Sequence, residues 1–168
     1  MINDLIDLLK IQSKSIEHYR QYPIVLIFFI LLLLEIPSTF FSESYESAFA
    51  SDLTINLIIA FVFTFIEAIF FAYWFGRIGK NHSFLTFLHY DVMVSIAANV
   101  PVIIILLITQ NLDSSPWIAI VGFLVAFIYV VYMFSANLAL ATGSPKKYAL
   151  TAISIVVVFQ FIAEFLLL

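Results

Sequence analysis

The sequence contains no cysteine and few charged residues. The lack of cysteine excludes disulfides, cysteine-ligated zinc and thiol catalysis. Charged residues make up 11% of the chain and hydrophobic residues 64%, whereas a soluble domain has about a quarter charged and half apolar residues. Only seven residues are Lys or Arg, too few for the basic stripe that follows nucleic-acid phosphates. The composition predicts an integral membrane protein that contacts the lipid bilayer and does not bind nucleic acid directly.

Common enzyme motifs are also missing. The chain has no HExxH metalloprotease motif, no GxSxG nucleophile motif and no Walker phosphate-binding loop. The best metal-binding set is His82, His89 and Asp91, whose spacing is irregular for zinc. Aspartyl proteolysis within the membrane needs a second Asp in a span, and Asp91 has no such partner. We therefore predict a protein that is not an enzyme, with no catalytic residue, no metal site and no cofactor.

Five long apolar runs dominate the chain. A helix that crosses a bilayer needs about 20 mostly apolar residues. The runs that meet this requirement are 23–41, 53–75, 84–109, 117–141 and 148–168. The connectors between them are 42–52, 76–83, 111–116 and 142–147. We predict an all-α polytopic membrane fold in which residues 23–168 form one domain of five transmembrane helices.

The basic residues predict how these helices cross the membrane. All seven precede the first run or lie in the second and fourth connectors: Lys10, Lys14, Arg20, Arg77, Lys80, Lys146 and Lys147. The first and third connectors carry only acidic charges. An excess of Lys and Arg marks the cytoplasmic side. The pattern predicts a multi-pass protein of the cell membrane with a cytoplasmic N-terminus, an outward C-terminus, and Arg77, Lys80, Lys146 and Lys147 as cytoplasmic anchors.

Residues 1–22, here called the N-terminal segment, have helical periodicity. One face carries the apolar residues Ile2, Leu5, Ile6, Leu9 and Ile16, and the other carries Asn3, Asp7, Lys10 and Lys14. The first interpretation is an amphipathic helix that lies on the cytoplasmic leaflet. The alternative is a helix that docks a partner protein.

Eight of the polar residues inside the predicted spans are candidates for a site, because a polar or ionisable side chain there has a free-energy cost and needs a reason. They are Glu35, Glu67, His89, Asp91, Asn99, Asn137, Gln160 and Glu164. One group is expected to converge in the cytoplasmic half: Glu67, His89, Asp91 and Asn137. A second is expected in the outer half: Glu35, Gln160 and Glu164. Asn99 lies two residues before Pro101, which hints at a midplane site. The carboxylates suggest a proton or cation path, and the alternative is hydrogen bonding between helices.

Asp91 has two possible placements. Residues 92–109 alone are nearly long enough to cross the bilayer. Asp91 would then lie at the headgroup boundary near Arg77 or Lys80, and this placement is favoured. The alternative is an inner polar cluster in which Asp91 meets Glu67.

Two segments resemble the Yip family of small five-pass membrane proteins. The first has a glycine-containing loop, a Ser-Phe start to the third span, a Tyr and a later proline, at Gly76, Gly79, Ser83, Phe84, Tyr90 and Pro101. The second has a small-polar, basic and Ala-Leu pattern before the last span, at Ser144, Lys146, Lys147, Ala149 and Leu150. The resemblance covers roughly residues 70–168. It implies a non-enzymatic scaffold or partner-binding protein, often oligomeric, without catalytic residues.

Three functions therefore compete. The first is a Yip-like membrane scaffold or partner-binding subunit that forms homo-oligomers or joins other subunits. The second is a small transporter or channel that uses the intramembrane carboxylates. The third is a membrane sensor whose N-terminal segment signals to a cytoplasmic effector. The N-terminal segment is far shorter than the cytoplasmic region of eukaryotic Yip proteins, so their binding of small GTPases and their Golgi role are not transferred to this chain.

Overall fold

The computed structural model describes residues 1–40, 49–111 and 116–167. Within these ranges the chain forms helices and no strand, so the predicted all-α class is confirmed. The helices are α1 Ile2–Leu9, a 3₁₀ helix Ile16–Gln21, α2 Ile24–Phe40, α3 Phe49–Gly76, α4 Phe84–Asn111, α5 Pro116–Thr142 and α6 Lys146–Leu167. The predicted connectors 42–52 and 111–116 fall largely outside the described residues.

Four helices are long and apolar enough to cross a membrane. Their spanning parts are Ile58–Gly76, Phe84–Ile105, Ile120–Thr142 and Lys146–Ala163. By their length and composition, these four helices indicate a membrane protein. The first predicted span corresponds to α2, which has 17 residues and whose described apolar part, Ile24–Leu34, is shorter than the others. The fifth span therefore stays a prediction.

Helix α4 is at the centre of the bundle. It packs against α1, the 3₁₀ helix, α2, α3 and α5, while α6 packs against α5 and α3. Helix α4 contributes more side chains to the described core than any other helix, namely Phe87, Leu88, Tyr90, Val92, Met93, Val94, Ile96 and Ala97. A polar residue on α4 is therefore surrounded by protein on most sides, and its partners must come from the neighbouring helices.

Helices α3 and α5 end side by side at one end of the bundle. Gly79 and Gly143 take the left-handed conformation with φ of 77° and 61°, which closes each helix at low steric cost. A Cβ added to Gly143 would lie 3.3 Å from Lys80 Nζ, so the connectors 76–83 and 142–147 are neighbours. We call this the basic end, because Glu17 of the N-terminal segment, which carries the remaining basic residues, also contacts His82 here.

The N-terminal segment folds back on itself instead of forming one long helix. Helix α1 ends at Leu9 and the chain turns at Ile11, whose φ is 58°. The N–H of Gln12 donates to the Asp7 carbonyl at 2.8 Å and closes the turn. This reversal changes which apolar residues face the bundle. Leu8, Ile16 and Tyr19 are fully buried, whereas Ile2 and Ile6 of the predicted apolar face are 72% and 41% exposed.

Candidate functional site

Two carboxyl groups meet inside the bundle. Glu67 on α3 is 8% exposed and Asp91 on α4 is fully buried, and the two carboxyls interact directly with each other. At 1.5 Å of rise per residue, Glu67 lies about 13 Å from the end of α3 and Asp91 about 10 Å from the start of α4. The pair, here called the acidic pair, lies well below the basic end.

The acidic pair has few partners. Gln160 on α6 donates from Nε2 to Glu67 Oε1 at 2.5 Å. Neither Asp91 oxygen makes a hydrogen bond of normal geometry to any described residue. Every Lys and Arg lies in the described part of the chain, and none of them forms an ion pair with either carboxyl. Two acidic groups are thus buried in contact without a cation.

A cavity of about 500 Å³ adjoins the acidic pair and is bounded by helices α2 to α6. Glu67 and Gln160 line one part of it. The other polar lining residues are Thr64, Ser95 and Asn99. The remaining walls are apolar and include Phe63, Phe127 and Phe134. The cavity therefore combines a carboxyl group on its wall with a largely apolar interior.

Helical spacing explains why the polar lining converges. Asp91, Ser95 and Asn99 are each four residues apart on α4, and Thr64 lies three residues before Glu67 on α3, so each set shares one helix face. Pro101 follows on α4 and cannot donate to the carbonyl of residue 97, which removes one backbone hydrogen bond at the level of the cavity. The polar stripe of α4 thus runs from Asp91 along the cavity wall.

The structure shows which residues Asp91 and Gln160 contact. Asp91 is fully buried beside Glu67, as the alternative of an inner polar cluster predicted, because α4 is covered on most sides by other helices. Gln160 donates to Glu67, a residue expected in the other polar group, because α6 packs against α3. The side chains of Glu35 and Glu164 lie outside the described part of the structure.

His89 and Asn137 do not join the acidic pair. Nδ1 of His89 lies 2.7 Å from the Leu85 carbonyl of its own helix. Asn137 Nδ2 donates to the Leu8 carbonyl at 2.7 Å, and the Tyr129 hydroxyl donates to the Leu9 carbonyl at 2.5 Å. The last carbonyls of a helix usually lack partners within it, so these α5 side chains hold the end of α1 in the bundle.

Asp4 is the centre of a second acidic site in the N-terminal segment. It is 4% exposed and lies 2.5 Å from Lys14 Nζ, 2.7 Å from His18 Nε2 and 2.5 Å from the Tyr22 hydroxyl. Burial raises the pKa of Asp4, but the hydrogen bonds from Lys14, Tyr22 and His18 together outweigh it and hold the pKa well below its usual range. Burial, followed by the hydrogen bond to Asp4, raises the pKa of Tyr22 to about 12.

Further contacts join the N-terminal segment to the bundle. The rings of Tyr19 and Tyr90 meet edge to face with centroids 5.4 Å apart. Glu17 lies 3.1 Å from His82 Nδ1 and accepts a hydrogen bond from Thr86 at 3.3 Å. The segment therefore packs across the start of α4.

The predicted basic anchors lie at the basic end. Arg77 stacks over the Trp74 ring at 5.5 Å, and Lys80 approaches Gly143. Lys146 and Lys147 are exposed in the first turn of α6.

No family model, curated protein or solved structure matches the chain. The Yip resemblance therefore stays a prediction.

Sequence reasoning missed Thr64, Ser95 and Asp4. The signal for Ser95 was present, because a four-residue spacing from Asp91 to Asn99 indicates one polar face. Thr64 could have been found by its spacing from Glu67. Asp4 had no such signal, since its partners lie beyond a chain reversal at Ile11, a residue type that rarely adopts positive φ.

Proposed function

We propose that the chain is a small transporter-type membrane protein in which the acidic pair binds a proton or cation. The observation that carries this proposal is the contact between two buried carboxyls, Glu67 and Asp91, without a basic partner and beside a cavity. Ionisable residues inside membrane helices are costly, and those that face a cavity commonly mark ion or substrate pathways.

Electrostatic repulsion explains why the pair needs a ligand. Two ionised carboxylates about 4 Å apart repel by about 4 kcal/mol at an effective dielectric constant near 20. A proton or a cation between them removes that repulsion. Gln160 satisfies one oxygen of Glu67, which leaves the other carboxyl oxygens for the ligand. Ser95 and Asn99, each about 6 Å further along α4, offer hydrogen-bonding groups along the cavity.

Reconstitution in proteoliposomes tests the proposal. Flux of protons, Na⁺ or K⁺ down an imposed gradient is measured for the wild type, Glu67→Gln and Asp91→Asn. Both variants are expected to lose at least 10-fold in rate. Glu17→Gln is the matched control, because Glu17 is exposed at the basic end, and it should leave the rate unchanged. Absent wild-type flux, or equal flux in all four proteins, would contradict the proposal.

The topology belongs to the same proposal. We propose five spans with α2 as the first, a cytoplasmic N-terminus and a location in the cell membrane. Support comes from the apolar sequence of α2 and from the basic connectors that share one end of the bundle. The chain has no native cysteine, so single-cysteine variants give a clean assay. An impermeant maleimide added to intact cells should label Ser114→Cys and leave Asn3→Cys unlabelled until the cells are opened.

A partner-binding role is the second candidate, as the Yip resemblance implies. The exposed apolar side chains of Ile2 and Ile6 favour it, because the N-terminal segment presents them outward while its other face is buried in the bundle. A protein partner, a cytoplasmic effector or a second copy of the chain could cover this face. Ile2→Ser/Ile6→Ser is expected to lose the partner or the oligomer in mild-detergent purification. Identical co-purifying proteins and identical size would exclude this role.

A further inference from the structure

We infer that the cavity beside Glu67 binds a lipophilic organic cation, with its charged centre at Glu67 and its apolar body in the cavity. The inference rests on the proposed function, because it names the class of solute that the acidic pair serves. An aromatic phosphonium or a tertiary or quaternary amine has the required chemistry.

The size of the cavity argues for an organic ligand. Its volume of about 500 Å³ falls within the roughly 300–1,000 Å³ of sites for small organic molecules. A proton or a bare metal ion needs far less space. In addition, no group of three or more His, Asp and Glu residues in the described ranges could hold a metal ion. Volume and ligand set together indicate a molecule with a substantial body.

The lining indicates a positive charge and an apolar body. Glu67 is the only ionisable residue on the described cavity wall, and the other polar groups there are amides and hydroxyls. An anion would face a carboxyl without a basic residue to pair with it. Phe63, Phe127 and Phe134 line the apolar part, and aromatic faces attract desolvated organic cations. A molecule with one positive centre and a hydrophobic body matches both parts of the lining.

Asp91 is a second buried carboxyl group, next to Glu67 but not on the cavity wall. It is fully buried, its oxygens lack hydrogen-bond partners among the described residues, and it interacts directly with Glu67. It does not line the cavity, so it acts on the ligand through Glu67. A bound monocation would offset the repulsion within the acidic pair, so the pair itself favours ligands with a positive charge.

Two ions of the same shape and opposite charge test the inference. Radiolabelled tetraphenylphosphonium and tetraphenylborate are titrated against the full chain in lipid nanodiscs, with empty nanodiscs subtracted. The wild type is expected to bind the phosphonium saturably and the borate not at all. Glu67→Gln should weaken phosphonium binding at least 10-fold, while Glu67→Asp, which keeps the charge, should retain most of it. Glu17→Gln is the control for loss of a carboxylate elsewhere.

A cavity-filling variant separates this inference from the proposed function. Ala98→Phe adds bulk to the α4 wall of the cavity without altering its charge, and Val157→Phe does the same from α6. Both are expected to lose phosphonium binding and to retain flux of protons or small cations. Wild-type flux without saturable phosphonium binding overturns the organic-cation site and leaves the proposed function standing. If Glu67→Gln binds the phosphonium as tightly as the wild type does, the inference is overturned. If the wild type shows neither flux nor phosphonium binding, both the inference and the proposed function are overturned.

Discussion

Two buried acidic sites in this chain have opposite surroundings. Asp4 is surrounded by Lys14, His18 and Tyr22, which all contact its carboxylate. The acidic pair of Glu67 and Asp91 receives one amide hydrogen bond and no basic side chain. The first site lies in the N-terminal segment and the second lies inside the bundle, beside a cavity.

The difference separates a structural role from a functional one. A buried charge that is paired and hydrogen-bonded is retained at little net cost, whereas an unpaired one destabilises the fold. Asp4 therefore fastens the N-terminal segment in its folded-back form. The acidic pair lacks such compensation, and a site that is kept at a cost to stability is expected to serve function. Variants of the two sites should consequently shift stability in opposite directions.

The largest expected effect is on transport by the acidic pair. Glu67→Gln/Asp91→Asn keeps the shape of both side chains and removes both acidic groups. Flux is expected to fall at least 100-fold because the cation loses its counter-charge. Stability should stay equal or rise, because the fold no longer buries two carboxyl groups without a cation. Flux assays and thermal unfolding in detergent measure the two effects, and a variant that is clearly less stable would make the pair a structural element.

The opposite outcome is expected at Asp4. Asp4→Ala removes the acceptor that Lys14, His18 and Tyr22 share, and should weaken the docking of the N-terminal segment by about 2 kcal/mol. Lys14 is 44% exposed and regains water, so the loss is smaller than for a fully buried pair. A spin label at Asn3→Cys, which is exposed on α1, should become more mobile. Glu17→Ala is the control, because the Glu17 side chain is itself 51% exposed, and it should cost at most about 1 kcal/mol.

The docking of the N-terminal segment should also depend on pH. The pKa of Asp4 is lower in the folded state than its ordinary 3.8, so below about pH 4 the unfolded segment binds more protons and docking weakens as the pH falls. The pKa of Tyr22 is raised from 10 to about 12, so docking is also lost as the pH rises from 10 towards 12. The spin label at Asn3→Cys should be least mobile between these limits, and Asp4→Asn should abolish the acidic limb. An acidic limb that persists in Asp4→Asn would assign it to another group.

Sequence reasoning succeeded where periodicity and composition govern the structure. Apolar runs predicted the all-helical membrane fold, because a spanning helix has a fixed length and must be apolar. Glu67 and Asp91 were named as candidates because their charge is costly in such helices. Their contact could only be offered as the less favoured alternative, since helix length alone allowed Asp91 at the surface. The faces of α3 and α4 that contact each other are set by packing among all the helices of the bundle. That packing cannot be deduced from the pattern of a single sequence.

The folded-back form of the N-terminal segment was also not predicted from the sequence. Its apolar period predicted one amphipathic helix, yet the chain turns at Ile11 and buries Leu8 together with Ile16 and Tyr19. A glycine at position 11 would have signalled the end of a helix, as Gly79 and Gly143 do for α3 and α5. Isoleucine rarely adopts a positive φ, so it does not indicate the end of a helix. The packing of its side chain against the core offsets the unfavourable backbone conformation.

The smallest expected effect concerns this turn, which brings Asp4 to its partners. In the left-handed region a Cβ costs about 1–2 kcal/mol, while a half-buried isoleucine side chain contributes about 1 kcal/mol. Ile11→Gly removes both contributions and should change stability little, whereas Ile11→Ala keeps the strain, loses the burial and should be less stable than Ile11→Gly by about 1 kcal/mol. In an ordinary helix interior alanine is instead favoured over glycine by about that amount. Gly79→Ala is the matched control, because a Cβ there meets nothing within 4 Å. Its unfolding midpoint should therefore change only through the backbone strain at a φ of 77°. If the unfolding midpoint of Ile11→Ala equals or exceeds that of Ile11→Gly, the turn at Ile11 is not left-handed. A different turn would then have to bring Asp4 into contact with Lys14 and His18.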